Sequence, residues 1–236
     1  NEVTNCPVPQ PRIFTVRATQ NSQLHAAIEL MYNLPMIKVV CFDLDGVYFL
    51  NGKSNFIKAL GELGISENEA KRVFLKSDEM NNQYKIGKMT DEEFWSWALQ
   101  EWHLQISTQD IMDLLIKDYE TNTFVVDYVK KVKKAGYKTA ICSSNFPARI
   151  NGLQKRFGFL DDFNVIALSY EVGVNKPDKR LYEALITKSG VEPSEIVYSD
   201  DYEPAINTAR ALGISTFLYT DFDAFDKHLK DLGISL

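Results

Sequence analysis

Two aspartates separated by one residue, Asp43 and Asp45, close the apolar run Val39-Val40-Cys41-Phe42 and are followed by Gly46. A short β-branched and aromatic run of this kind suits a strand buried on both faces, which has no use for a carboxylate in its interior. Asp43 therefore belongs at the carboxyl end of the strand, where open α/β sheets place their ligand sites. The plain alternative is an Asp-Gly turn after a strand. Three further polar groups argue for more than a turn. Ser143-Ser144-Asn145 ends the run Thr139-Ala140-Ile141-Cys142, Lys176-Pro177-Asp178 opens a helix, and Asp200-Asp201 ends the run Ile196-Val197-Tyr198-Ser199. In a parallel sheet all strand ends point one way, so these groups meet in one crevice. Carboxylates gathered there raise one another's pKa, and a divalent cation relieves the repulsion. Oxygen-only ligands suit magnesium, with a phosphate oxygen and waters completing its shell. Lysine adds positive charge and serine a hydroxyl donor. The set fits phosphoryl chemistry: one carboxylate as nucleophile, a second moving a proton, and cations on the developing charge.

The elements that must position these residues follow from the pattern. Strands are expected at Ile37–Phe42, Lys138–Cys142, Asn164–Leu168, Ile196–Ser199 and Ser215–Tyr219. Helices are expected at Phe124–Ala135, Pro147–Phe157, Lys179–Ser189, Pro204–Leu212 and Ala224–Leu232, several ended by glycine. This alternation predicts an α/β fold, a Rossmann-like parallel five-stranded sheet with helices on both faces. Residues 51–121 interrupt it with helical patterns only. Ser66-Glu67-Asn68-Glu69 and Thr90-Asp91-Glu92-Glu93 both read as capping boxes. An all-helical cap insert after the first strand would sit over Asp43. The core domain then comprises 36–50 and 122–236. Residues 1–35 read as an N-terminal extension or linker, with Pro7, Pro9 and Pro11 followed by a helical pattern over Ser22–Asn33.

At 236 residues and 45% hydrophobic, the chain can bury a full core. A net charge of −6 argues against nucleic acid or an anionic membrane as partner. No apolar run approaches the roughly 20 residues that span a bilayer. Cys6, Cys41 and Cys142 have no metal or disulfide spacing, which points to a reducing, cytoplasmic setting. A monomer is the default expectation. Trp95, Trp97 and Trp102 read as cap core. His25, His103 and His228 have no partner pattern, and Glu79, Asn82 and Tyr84 read first as solvated helix surface.

Asp43-Leu44-Asp45-Gly46-Val47, Ser144-Asn145, Gly173-Val174-Asn175-Lys176-Pro177-Asp178 and Asp200-Asp201, in this order, resemble the haloacid dehalogenase superfamily and specifically its phosphatases. The resemblance covers the chain from Met36 onward. It implies Asp43 as nucleophile and magnesium ligand, and Asp45 as general acid and base whose backbone carbonyl also faces the metal. It implies Ser144, Asn145 and Lys176 on the phosphoryl group, and Asp200 with Asp201 on the metal. The run Tyr84–Phe94 is similar to a cap segment of bacterial glucose-1-phosphate phosphatases. Two departures stand out: Ala205 replaces an asparagine, and Tyr48 is bulky enough to narrow the pocket. The implied activity is a magnesium-dependent phosphatase acting on a small phosphorylated metabolite such as a sugar phosphate, through an aspartyl-phosphate. A haloacid dehalogenase has no use for an acid at Asp45. A phosphomutase, and a non-catalytic binding protein that keeps the fold, stand as alternatives.

Overall fold

The computed structural model describes residues 36–234 and 236. The expected helix over Ser22–Asn33, Cys6 and His25 lie outside the described residues. The chain enters the sheet at β1 (Val39–Phe42) and makes the two-residue strand β2 (Phe49–Leu50). Helices Gly52–Glu62, Glu67–Lys71, Asp91–Glu101 and Thr108–Lys117 follow. Two wide π-type turns, Arg72–Lys76 and Glu79–Tyr84, lie among them. The chain then returns through β3 (Glu120–Thr121), which pairs antiparallel with β2. Four more strands follow: β4 (Lys138–Ser143), β5 (Val165–Leu168), β6 (Ile196–Asp200) and β7 (Ser215–Leu218).

The main sheet has the order β5-β4-β1-β6-β7 and its neighbours are parallel. The five-stranded α/β expectation is met, with strand ends displaced by one or two residues. β1 lies between β4 and β6, so its carboxyl end has a strand end on each side. Side chains alternate across the sheet. Val40 and Phe42 enter one apolar cluster with Val125, Val129, Phe225 and Leu229. Val39 and Cys41 enter the other with Leu181, Leu185, Ala205 and Ala209. Helices therefore cover both faces. Cys41 and Cys142 are free and fully buried, and burial pushes both thiols up, Cys142 to about 12.

The helical insert belongs to the first cluster and is packed around aromatics. Phe56 meets Phe74 edge-on at 4.7 Å, and Tyr84 stacks on Phe94 at 4.4 Å. Trp95 and Trp102 are buried there as expected. Tyr84 is buried, not solvated: its hydroxyl bonds Asp91 and accepts from Trp95 Nε1 at 3.1 Å. Tyr48 is likewise in the core against Phe49, Phe159 and Phe163, so it does not narrow the pocket. The Thr90 capping box forms as expected. Ser66 caps its helix through Glu69 N–H, but the box is incomplete because the Glu69 carboxylate turns to Arg72 at 2.6 Å. A further box, Ser107 with Asp110, starts the last helix of the insert.

Among the described residues, no helix is long and apolar enough to cross a membrane.

Candidate active site

The carboxyl end of β1 carries Asp43, whose amide donates to the carbonyl of Ser199 on β6 at 2.9 Å. That bond extends the β1–β6 ladder by one residue and fixes Asp43 beside Asp200, the last residue of β6. Both carboxylates are almost fully buried. Lys176 lies on the loop after β5. Its Nζ is 2.6 Å from Asp43 Oδ1 and 2.6 Å from Asp200 Oδ2. Burial lowers the pKa of Lys176, but Asp43 and Asp200 outweigh it and raise it. Asp43 is pushed up by burial, with Lys176 opposing and Asp200 adding. Asp200 also accepts from the Tyr202 amide at 2.8 Å and from the Tyr198 hydroxyl. Ser144, at the end of β4, accepts from the Lys176 amide at 2.9 Å, which ties the β4 and β5 loops together.

Asp45 has a different environment. It sits 2.7 Å from Arg149 Nη2 and 3.1 Å from Lys53 Nζ. Burial raises its pKa, but Arg149 and then Lys53 outweigh this and bring it down to about 2. Arg149 is itself buried. Its Nε donates to Asn145 Oδ1 at 2.6 Å and its Nη1 to the Tyr119 hydroxyl at 3.2 Å. Gly46 turns the chain directly after Asp45 at φ 80°, and a Cβ there would lie 2.1 Å from Asp201 Oδ2. A side chain at this position would clash with Asp201 and strain the backbone.

Six of the seven residues expected at the site, Asp43, Asp45, Ser144, Lys176, Asp200 and Asp201, line one cavity of about 800 Å³. Asn145 does not. It is buried, and its amide oxygen holds Arg149 instead of facing the cavity. Of the insert residues considered, Asn82 lines the cavity, whereas Glu79 and Tyr84 do not. Arg149, Lys53 and Lys85 escaped the sequence reading. For Arg149 a signal exists: it is a cation in the first turn of the helix Pro147–Phe157, where it opposes the helix dipole.

Asp43, Asp200 and Asp201 each offer one carboxylate oxygen within 4.8 Å of the others. Three anionic oxygens this close, two of them buried, fit a hard divalent cation such as magnesium.

The model of the haloacid dehalogenase-like hydrolase family matches residues 37–213. Bifunctional epoxide hydrolase 2 of Sus scrofa is 22% identical over 85% of this chain, which spans 40% of that protein. Phosphoglycolate phosphatase of Mesorhizobium japonicum is 25% identical over 82% of this chain and 86% of its own length. A HAD family enzyme of Bacteroides thetaiotaomicron, solved in complex with magnesium and inorganic phosphate, superposes with a TM-score of 0.66. It covers 80% of this chain and 98% of its own, at 24% identity.

Proposed function

We propose, for a chain that belongs to the haloacid dehalogenase-like hydrolase family, that it hydrolyses a small phosphorylated metabolite with magnesium. One observation carries the reading: two carboxylates two residues apart are held in opposite environments. Asp43 is buried against Lys176, and Asp45 is held apart by Arg149 and Lys53. Such a split assigns different roles to paired carboxylates.

A carboxylate oxygen of Asp43 attacks phosphorus as the bond to the leaving alcohol oxygen breaks, giving an aspartyl-phosphate. Asp45 gives its proton to that leaving oxygen. In the second step Asp45 takes a proton from water as the water oxygen attacks phosphorus, and Asp43 is released with inorganic phosphate. With its pKa at about 2, Asp45 rests as a base. The arriving phosphoryl dianion raises that value, because like charge disfavours ionisation, and so readies it as an acid. Lys176 and the Ser144 hydroxyl balance charge on the phosphoryl oxygens. Asp43, Asp200 and Asp201 would hold the metal, with the Asp45 carbonyl beside them. Bound magnesium supplies Lewis-acid charge stabilisation to the phosphoryl group. Residues 51–121 act as the cap that admits the leaving group.

The test is hydrolysis of p-nitrophenyl phosphate with magnesium, in the parent and in Asp43→Asn. The parent turns over and the variant loses at least about 1,000-fold in kcat, the scale of a missing nucleophile. An inactive parent with every divalent metal, or a fully active Asp43→Asn, overturns the reading.

A further inference from the structure

The cavity has two walls of opposite character. The core contributes the carboxylates Asp43, Asp45, Asp200 and Asp201. The helical insert contributes Lys53, Ser54, Asn81, Asn82 and Lys85 and, among the described residues, no carboxylate. Lys53 is engaged with Asp45 at 3.1 Å. Lys85 has only the amide oxygen of Asn81, at 3.2 Å. No carboxylate of the described residues lies within ion-pair distance of it.

Lys85 is held in place by construction. It directly follows the π-type turn Glu79–Tyr84, a distortion often found at functional sites. Its neighbour Tyr84 is fully buried and stacked on Phe94. Its own carbonyl accepts from the Ser169 hydroxyl of the core at 2.6 Å. Two residues on, a Cβ at Gly87 would lie 2.3 Å from the Tyr170 carbonyl oxygen, so this part of the insert sits tightly on the core. Burial, and then Lys53 and Arg149, bring the Lys85 ammonium down to about 7 against the weaker opposing pull of Asp45. A half-buried cation beside two others, with no carboxylate of the described residues in ion-pair contact, is unfavourable until an anion arrives.

We propose that Lys85, supported by Lys53, is a subsite for a second anionic group on the leaving-group side of the substrate. The preferred substrate is then the phosphate ester of a small hydroxy acid or a bisphosphate, not the ester of a neutral polyol. This rests on the phosphatase reading and narrows its substrate class. The phosphoryl group occupies the Lys176 end and the second anion meets the Lys85 ammonium, which Asn81 steadies through its amide oxygen. A neutral polyol phosphate would leave Lys85 unpaired.

The experiment compares kcat/KM within two matched pairs. 3-Phosphoglycerate against glycerol 3-phosphate exchanges a carboxylate for a hydroxymethyl group. Fructose 1,6-bisphosphate against fructose 6-phosphate adds a phosphate. The parent prefers the more anionic member of at least one pair by about 10- to 100-fold, the scale of one charge-assisted bond. The pair that shows it tells carboxylate from phosphate. Lys85→Met drives that ratio toward one and Lys85→Arg keeps it. Binding of the same compounds to Asp43→Asn with magnesium, by calorimetry, gives the ratio without turnover and reports that Lys85→Met in that background still folds. A parent that hydrolyses p-nitrophenyl phosphate but shows no preference in either pair overturns the subsite and leaves the phosphatase reading standing. A preference that Lys85→Met leaves intact also overturns it. Failure to hydrolyse any ester overturns the phosphatase reading, and calorimetry then decides the subsite separately.

Discussion

Replacing Arg149 with methionine tests how the site holds Asp45. Arg149 is 1% exposed and Asp45 18%, and their contact is 2.7 Å. A carboxyl lowered from 3.8 to about 2 on folding contributes about 2.5 kcal/mol of stability at neutral pH. The sign follows from the direction. A depressed pKa stabilises above about pH 4, and the contribution disappears as pH falls through about 2. Arg149→Met removes the largest cause of that depression. It also leaves Asn145 and Tyr119 without their partner, so the expected loss is about 3–4 kcal/mol. In a chain of this size that lowers Tm by about 10 °C. Asp45→Asn in the same chain removes the anion that Arg149 serves, and the double variant recovers about 2 kcal/mol of the sum of the single losses. The assay is thermal unfolding of metal-free protein at pH 7 and pH 3, where the gap between parent and Arg149→Met narrows by about 1 kcal/mol. An Arg149→Met protein that melts with the parent at pH 7 would refute the pairing as a source of stability. So would a gap that is identical in the Asp45→Asn background.

Two glycine substitutions probe close approaches on either side of the cavity. Gly46→Ala drives a methyl into Asp201 and forces φ 80° on alanine. The expected outcome is a magnesium affinity weakened by about 10-fold or more with a cost of about 1–2 kcal/mol in stability, read by metal titration and by unfolding. Unchanged magnesium affinity would separate Asp201 from the metal. Gly87→Ala pushes the insert off the Tyr170 carbonyl. It raises KM by several-fold with a smaller change in the Tm, and a KM equal to the parent's would mean that this contact does not position the insert for substrate.

The strand ends were legible because burial and chemistry disagree there: an apolar run that stops at Asp43 or Asp200 declares its own boundary. Arg149 carries a similar conflict between a residue and its place, as a cation in the first turn of a helix. Asn145 follows Ser144 in its motif, but its partner Arg149, four residues on along the chain, is visible only once the turn is built. Ser66 and Thr90 begin with matching patterns. They part because Arg72 offers Glu69 a competing charge, whereas Glu93 stays with Thr90. β2 and β3 are two residues each, too short for any alternation to register. Lys85 was invisible for a different reason. Its importance lies in what is not beside it, and sequence does not list neighbours.

The pairing of β2 with β3 has a consequence for how such a chain changes over time. Everything between Leu50 and Glu120 departs and returns through adjacent residues, so the two ends of the insert form a single splice point. A segment entering there adds or removes a whole specificity module without altering any ladder of the five-stranded sheet, since insertions survive where the ends already meet. The chemistry of Asp43 and its partners can therefore stay fixed while the insert, exchanged as a unit, redirects it to a new ester.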